Sequence, residues 1–215
     1  MLTVKHLSNI DINDAAALEK AFESIASNKV ACVNWPAEYG YAPEFSFKIF
    51  HTGDALAIRY EVREKCTAAL VEKDNGEVWT DSCCEFFFQP GGKGNYYNLE
   101  ATCIGKVLLA NRSGREDVVH AEPSVLSAIG RFPSLGCATF AEKKGDMRWS
   151  LLLTVPAQAY FKDDIKSFCG LKGRFNIYKC GDRLSMPHFV SYAPIKTESP
   201  DFHRPEYFTE IEFEG

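Results

Sequence analysis

The sequence has 215 residues, of which 24 are Lys or Arg and 29 are Asp or Glu, so its net charge is −5; 46% of the residues are hydrophobic and 13% are aromatic. This is the composition of a globular protein rather than a disordered one. The lack of a basic block argues against nucleic acid as a partner. No run reaches the ~18 apolar residues of a membrane span, so we expect no membrane partner.

The first residues lack the charged start and apolar stretch of a signal peptide. They predict a cytoplasmic location by default, or export if a leader has been trimmed. Eight cysteines are scattered without a C-x-x-C pair or zinc spacing, and we expect most to be small buried hydrophobes. Adjacent Cys83 and Cys84 could form a strained redox pair, but neighbouring strand residues point to opposite faces, which argues against it.

The N-terminal third contains one predicted helix and several predicted strands. Leu2 to Leu7 alternates apolar and polar residues, which predicts an opening edge strand. Asp14 can cap a helix over Ala15 to Ala26, whose apolar residues recur at three- and four-residue steps. The next predicted strands are Glu44 to His51 and Ala55 to Val62, joined by a hairpin turn at residues 52–54, and Ala68 to Glu72.

The stretch from Glu77 to Pro90 combines a tryptophan, two carboxylates and a continuous apolar run. The run from Cys83 to Phe88 is too short for a lone helix and is closed by Pro90 and a glycine cluster, so it predicts a buried strand. Glu85 lies inside this run. Its carboxylate must reach solvent or find partners, because burying it unpaired would cost several kcal/mol.

The rest of the chain predicts an all-β fold. Residues 111–133 are polar and punctuated by Pro and Gly, which predicts a long loop that covers or shapes a surface. About ten short strands and one peripheral N-terminal helix favour an antiparallel β-sandwich or jelly roll, as a single domain over residues 1–215 with residues 1–30 as a strand and helix extension. The remaining predicted strands are Tyr96 to Cys103, Lys106 to Leu109, Cys137 to Ala141, Arg148 to Val155, Gly173 to Lys179 and Tyr207 to Phe213.

No catalytic motif is present: the sequence has no nucleophile elbow, H-E-x-x-H pair, P-loop or dinucleotide fingerprint, so we predict no catalytic residues. The polar and aromatic residues instead suit a sugar, whose ring face stacks on an aromatic side chain while its hydroxyls need charged or amide groups. Trp79 is the predicted platform. The predicted edge contacts are Asp81, Glu85, Arg59, Asn98 and Glu100. The competing interpretation is that Arg59, Glu85 and Glu100 form a structural ion-pair network.

The sequence also resembles a known family. Val78 to Phe87, followed by Tyr97-Asn98-Leu99-Glu100 and Gly105, resembles the core signature of family 9 carbohydrate-binding modules; Trp35-Pro36 and the ending Pro200 to Phe208 add to the likeness. The resemblance implies a β-sandwich that binds a mono- or oligosaccharide without catalysis, at the end of a glucan or xylan chain, between two aromatic rings, in connection with polysaccharide breakdown.

On this resemblance Trp79 matches one ring and Glu85 matches the carboxylate at the sugar edge. Tyr192 is the counterpart of the second ring, where the family usually has Trp. Asn98 and Arg59 are then expected to contact the hydroxyls. We predict no cofactor, although some relatives bind calcium as a structural ion.

Two alternatives stay open. In a glycoside hydrolase, Glu85 and Glu100 would be the acid and the base or nucleophile, ~5–5.5 Å apart in a retaining and ~6.5–9.5 Å apart in an inverting enzyme. Nothing in the sequence predicts an environment that would raise an acid's pKa, which argues against this. In a structural or interaction domain, Trp79 would be buried against residues 111–133 and Glu85 would pair with Arg59.

Overall fold

The computed structural model describes all 215 residues, and strands dominate it. The helices are α1 (Ala15–Phe22) and α2 (Pro123–Ser127), with one-turn 3-10 helices at Val78–Thr80, Ala157–Ala159 and Pro205–Tyr207. The strands are β1 (Leu2–His6), β2 (Asn28–Val30), β3 (Cys32–Val33), β4 (Glu44–His51), β5 (Ala55–Ala69), β6 (Cys83–Pro90), β7 (Tyr96–Thr102), β8 (Val107–Arg112), β9 (Val118–His120), β10 (Gly130–Pro133), β11 (Phe140–Pro156), β12 (Lys172–Cys180), β13 (Phe189–Ser191) and β14 (Thr209–Phe213).

The strands form two layers that β1 joins. Sheet I has the order β10-β11-β5-β4 with β2 beside β4, and sheet II has the order β14-β12-β6-β7-β8-β9 with β13 and β3 beyond β12. All pairs are antiparallel except those of β1, which is parallel to β14 through Leu2–Val4 and to β4 through Lys5–His6. The predicted all-β sandwich is confirmed, whereas the prediction that β1 is an edge strand is wrong, because β1 has a partner on each side.

The inner faces of the two sheets share one aromatic-rich core. Because side chains alternate along a strand, Phe45 and Phe47 of β4 and Phe86 and Phe88 of β6 enter this core, and all four are buried. Each such ring contributes ~1.5–3 kcal/mol by leaving water. Glu85 and Phe87 alternate with these two residues of β6, so the Glu85 side chain points to the outer face of sheet II.

Helix α1 packs on the outer face of sheet I. Asp14 caps it by accepting hydrogen bonds from the backbone N–H groups of Ala16 (2.9 Å) and Ala17 (3.3 Å). Its buried residues contact the outer side of β4, β5 and β11. The helix ends at Phe22 rather than at the predicted Ala26. The backbone N–H groups of residues 23–25 donate to the carbonyl three residues earlier instead of four, and the Ser24 hydroxyl donates to the Ala21 carbonyl (3.0 Å).

Two strands are longer than predicted, and the predicted long loop contains regular structure. β5 and β11 each join two predicted strands, and they pair along most of their length despite two bulges. Residues 111–133 contain β9, α2 and β10, and β10 pairs with β11. Within this polar segment, β10 is ordered by pairing with a distant strand rather than by local propensity.

The β6–β7 hairpin carries the predicted glycine turn. Gly91 and Gly92 both have positive φ (66° and 70°), a conformation that costs glycine little. This turn sets Glu85 of β6 directly opposite Glu100 of β7.

None of the helices has both the length and the apolar character needed to cross a membrane.

Candidate functional site

A cavity of about 200 Å³ opens on the outer face of sheet II. Its floor comes from β6, β7 and β12, and its walls from the Val78–Thr80 turn, from β13 and from the loop before Pro205–Tyr207. The lining residues combine aromatic rings, carboxyl groups and guanidinium groups: Trp79, Glu85, Glu100, Arg112, Arg115, Cys180, Asp182, Phe189, Pro200, Asp201, Phe202 and His203.

Trp79 is held at the rim by its backbone. Its carbonyl accepts a hydrogen bond from the Asp182 N–H (3.1 Å), which ties the 3-10 turn to the segment after β12. The neighbouring Val78 is fully buried and anchors the turn in an aromatic cluster of sheet II. The Trp79 ring remains half-buried and is therefore available as one wall of the cavity.

Two buried carboxyl groups form the floor. Glu85 and Glu100 face each other across β6 and β7, with 2% and 3% of their surface exposed. Glu85 Oε1 accepts a hydrogen bond from the Cys180 thiol (3.0 Å), and Glu100 Oε1 accepts one from Asn98 Nδ2 (2.7 Å). Glu100 Oε2 has no partner.

Burial raises the pKa of both floor carboxyls. The pKa of Glu85 lies well above its usual range, through desolvation and the adjacent Glu100, and the pKa of Glu100 rises to about 7 by desolvation, against the opposing effects of Asn98 and Arg112. Two carboxylates this close do not both ionise readily. The floor therefore holds at least one proton at neutral pH.

Two arginines at and just after the end of β8, Arg112 and Arg115, place positive charge at the cavity. Arg112 Nε donates to Asn98 Oδ1 (2.9 Å) and Arg112 Nη1 donates to the Arg115 carbonyl (2.6 Å). His203 is bonded through Nδ1 to the Tyr96 hydroxyl (2.9 Å), and burial together with the two arginines lowers the pKa of His203 to about 3. The imidazole is therefore neutral.

Of the predicted site residues, the structure brings Trp79, Glu85 and Glu100 together at the cavity, with Asn98 fully buried beneath Glu100. Asp81 is turned away from it. Its Oδ2 accepts hydrogen bonds from the backbone N–H groups of Leu70 (2.7 Å) and Val71 (2.8 Å), so its carboxylate holds the end of β5 in place.

Arg59 and Tyr192 do not reach the cavity. Arg59 lies on the outer face of sheet I, paired with Glu19 and Glu61, so its predicted network with Glu85 and Glu100 does not form. Tyr192 packs between Phe47 and Phe175, with ring centroids 5.4 and 5.5 Å away, in the core between the sheets. The aromatic residues that join Trp79 at the cavity are instead Phe189 and Phe202.

The sequence interpretation missed Arg112, Arg115, Asp182, Phe189, Asp201, Phe202 and His203. Arg112 had one available signal: it ends the strand that pairs with β7, on which Asn98 and Glu100 lie. Phe189 begins the short strand β13, and the others come from connecting segments, whose positions depend on the assembled sheet.

The clusters of potential metal ligands in the structure do not suit a structural calcium ion. Two clusters of three potential ligands occur, His6–His51–Cys169 and Cys83–Glu85–Cys180. Neither offers the six to eight oxygen ligands that Ca²⁺ takes. Calcium therefore stays a prediction to which these clusters assign no site.

The family model for "Carbohydrate-binding family 9" matches residues 14–213. The chain belongs to carbohydrate-binding family 9. The resemblance predicted from Val78 to Phe87 and from the later motifs is thus confirmed. Among functionally curated proteins, none matches this family 9 chain significantly.

Solved structures agree with this assignment. A Bacteroides uniformis protein, provisionally described as carbohydrate-binding, is 37% identical with a TM-score of 0.95, over 99% of this chain and 98% of that one. A family 9 module of Caldicellulosiruptor kristjanssonii has been solved in complex with glucose and with cellotriose. Both structures are 10% identical to this chain with a TM-score of 0.58 and cover 100% of it. The match covers 95% of the module in the glucose complex and 93% in the cellotriose complex, and both share the fold of this chain.

Proposed function

We propose that this family 9 protein binds the terminal sugar of an oligosaccharide, such as a glucan or xylan chain end, in the cavity beside Trp79. The observation that carries the proposal is a half-buried indole at the rim of a concave site whose floor is a pair of buried carboxyl groups. An aromatic face suits the apolar face of a pyranose, and positioned polar groups suit its hydroxyls.

The polar groups offer both kinds of hydrogen bond. Glu85 and Glu100 accept from sugar hydroxyls, and the free oxygen of Glu100 has no competing protein partner. The positively charged guanidinium groups of Arg112 and Arg115 donate hydrogen bonds to the sugar oxygens. A volume of about 200 Å³ is below the ~300–1,000 Å³ of sites for drug-sized ligands, so one ring is enclosed and the remainder of a chain extends into solvent.

Phe189 takes the role of the second ring in this proposal. It is half-buried on β13, where Tyr39 supports it edge-on at 4.7 Å. Phe202 is less suited, because it is stacked on Tyr178 at 4.1 Å and is largely buried. The glucose and cellotriose complexes of the Caldicellulosiruptor module support a short glucan as the first ligand to test.

Trp79→Ala is expected to weaken sugar binding at least about fivefold, because truncating a stacked aromatic anchor costs more than ~1 kcal/mol. Titration calorimetry with glucose, cellotriose and xylotriose measures this. Arg59→Ala is the matched control, since Arg59 lies on the other sheet, and it should bind as the wild type does. No heat from any of these sugars at millimolar concentration, or equal losses in both variants, would contradict the proposal.

A second candidate function is glycoside hydrolysis, which the raised pKa of Glu85 and Glu100 favours. The expectation that no carboxyl has such an environment was wrong. The two groups, however, lie side by side on one floor, whereas hydrolases place their carboxyls on both sides of the scissile bond. We expect the protein to release no nitrophenol from nitrophenyl glycosides. If the wild type does release nitrophenol, and a normally folded Glu85→Gln variant does not, catalysis would instead be established.

A further inference from the structure

The floor of the cavity contains two thiols beside Glu85 that the proposed sugar binding does not use. Cys83 of β6 and Cys180 of β12 are directly opposite in register. Glu85 follows Cys83 by two residues and so projects from the same face of the sheet. One ligand atom from each of these three residues lies within 4.8 Å of the others, and all three residues are buried.

The spacing and the atoms suit a borderline-soft divalent cation. Zn²⁺ binds sulfur at ~2.3 Å and carboxylate oxygen at ~2.0–2.2 Å, so tetrahedral ligand atoms lie ~3.5–3.8 Å apart. The Cys180 sulfur is 3.0 Å from Glu85 Oε1, and small side-chain rotations would open the cluster around an ion. Two sulfur ligands favour Zn²⁺ over Mg²⁺ or Ca²⁺, which take oxygen.

A separate observation is an unsatisfied carboxyl oxygen beside this cluster. Glu100 lies opposite Glu85, and only 3% of its surface is exposed. Its Oε2 has no hydrogen-bond partner. A buried polar atom without a partner is rare and costs free energy. Both carboxyls and Cys180 line the cavity, so an ion can enter from solvent.

We propose that Cys83, Cys180 and Glu85 bind Zn²⁺ or a similar divalent cation at the floor of the cavity. Binding replaces each ligand's proton by a bond to the metal, and those protons pass to solvent. No redox change is involved. The proposal does not depend on whether the cavity also binds sugar.

The second cluster of potential ligands is less suited. Gly53 donates its N–H to His51 Nδ1 (3.2 Å), so the proton of the neutral imidazole lies on Nε2. That nitrogen is buried without a partner and offers no lone pair to a metal. His6 and Cys169 then remain as only two ligands, which makes this cluster the internal control.

Metal binding is tested on reduced, chelator-treated protein with Co²⁺, whose thiolate complexes give a charge-transfer absorption, followed by displacement with Zn²⁺. Wild type should bind one ion with this absorption and release protons. Cys83→Ala/Cys180→Ala should bind at least ~100-fold more weakly, beyond the ~10–100-fold effect of losing an outer-shell partner. His6→Ala/Cys169→Ser should bind as wild type does.

Glu85→Gln provides a second arm if the double cysteine variant does not fold. It keeps both thiols, so the thiolate absorption should persist with at least ~10-fold weaker binding. The proposal is overturned if wild type shows no thiolate absorption with Co²⁺, if the absorption survives loss of both cysteines, or if it disappears in His6→Ala/Cys169→Ser. Since the readout uses metal alone, its failure leaves the sugar titrations unaffected.

Discussion

Lys179→Met is expected to lower the free energy of unfolding by about 3–5 kcal/mol, because it leaves a buried carboxylate without its cation. Lys179 of sheet II is fully buried, and its Nζ lies 2.9 Å from Glu64 Oε2 of sheet I. It also donates to His188 Nε2 and to the Cys180 carbonyl, each at 2.8 Å. This ion pair crosses the core between the sheets.

The surrounding groups define the charge states. Burial alone would lower the pKa of Lys179, but Glu64 outweighs it and raises the pKa, so the amine stays protonated. Burial and the Lys179 charge hold the pKa of His188 well below its usual range, so the imidazole is neutral and accepts from Lys179. Glu64 Oε1 accepts from the Trp149 indole N–H (2.8 Å).

Urea unfolding of three variants measures the effect. The control is Lys166→Met, which removes an exposed lysine paired with Asp164 and should leave stability unchanged. The double variant Lys179→Met/Glu64→Gln should regain part of the loss, since no charge is then left unpaired. An unchanged midpoint for Lys179→Met would show that the pair does not stabilise the fold.

The second large effect is a change of stability with pH in metal-free protein. The folded-state pKa of Glu100 is about 7 against an ordinary 4.5, so the folded state holds its proton while the unfolded state releases it. Stability from this group is full below pH 4.5 and falls as pH rises through 7, by about 3 kcal/mol. Glu85 acts in the same direction.

Buried histidines change the stability with pH in the opposite direction, which gives the stability curve an acid limb as well as the alkaline limb of Glu100. Burial lowers the pKa of His51 to about 4 and that of His188 further below the ordinary 6.5. Their contribution is present above pH 6.5 and is lost as pH falls towards 4. Maximum stability is therefore expected near pH 6, between the two limbs.

Glu100→Gln isolates the alkaline limb. Gln can still accept the Asn98 hydrogen bond but does not ionise, so the variant should be about 3 kcal/mol more stable than wild type at pH 8 and within about 1 kcal/mol of it at pH 5. Thermal or urea unfolding in chelator at both pH values measures the difference. Glu210→Gln, on an exposed position of β14, is the control and should show no pH-dependent difference. Loss of stability at pH 8 would contradict the assignment.

The sequence alone determined the all-β class, the family, most strand positions and the strand that carries Glu85. These follow from local information: period-two alternation, a short apolar run closed by Pro90 and glycines, and an ordered set of motifs. Asn98 and Glu100 share a face for the same reason, and the structure places both at or beneath the cavity.

Only the tertiary structure decided which residues meet. Arg59 and Glu85 were grouped by residue type, yet they lie on the outer faces of different sheets. Tyr192 packs in the core, and Phe189 lies at the cavity instead. The register of β12 against β6 also created the Cys83–Cys180 pair, 97 positions apart in the chain. Alternation tells which face of a strand a side chain occupies, but strand order and register across the sandwich arise from contacts between distant segments.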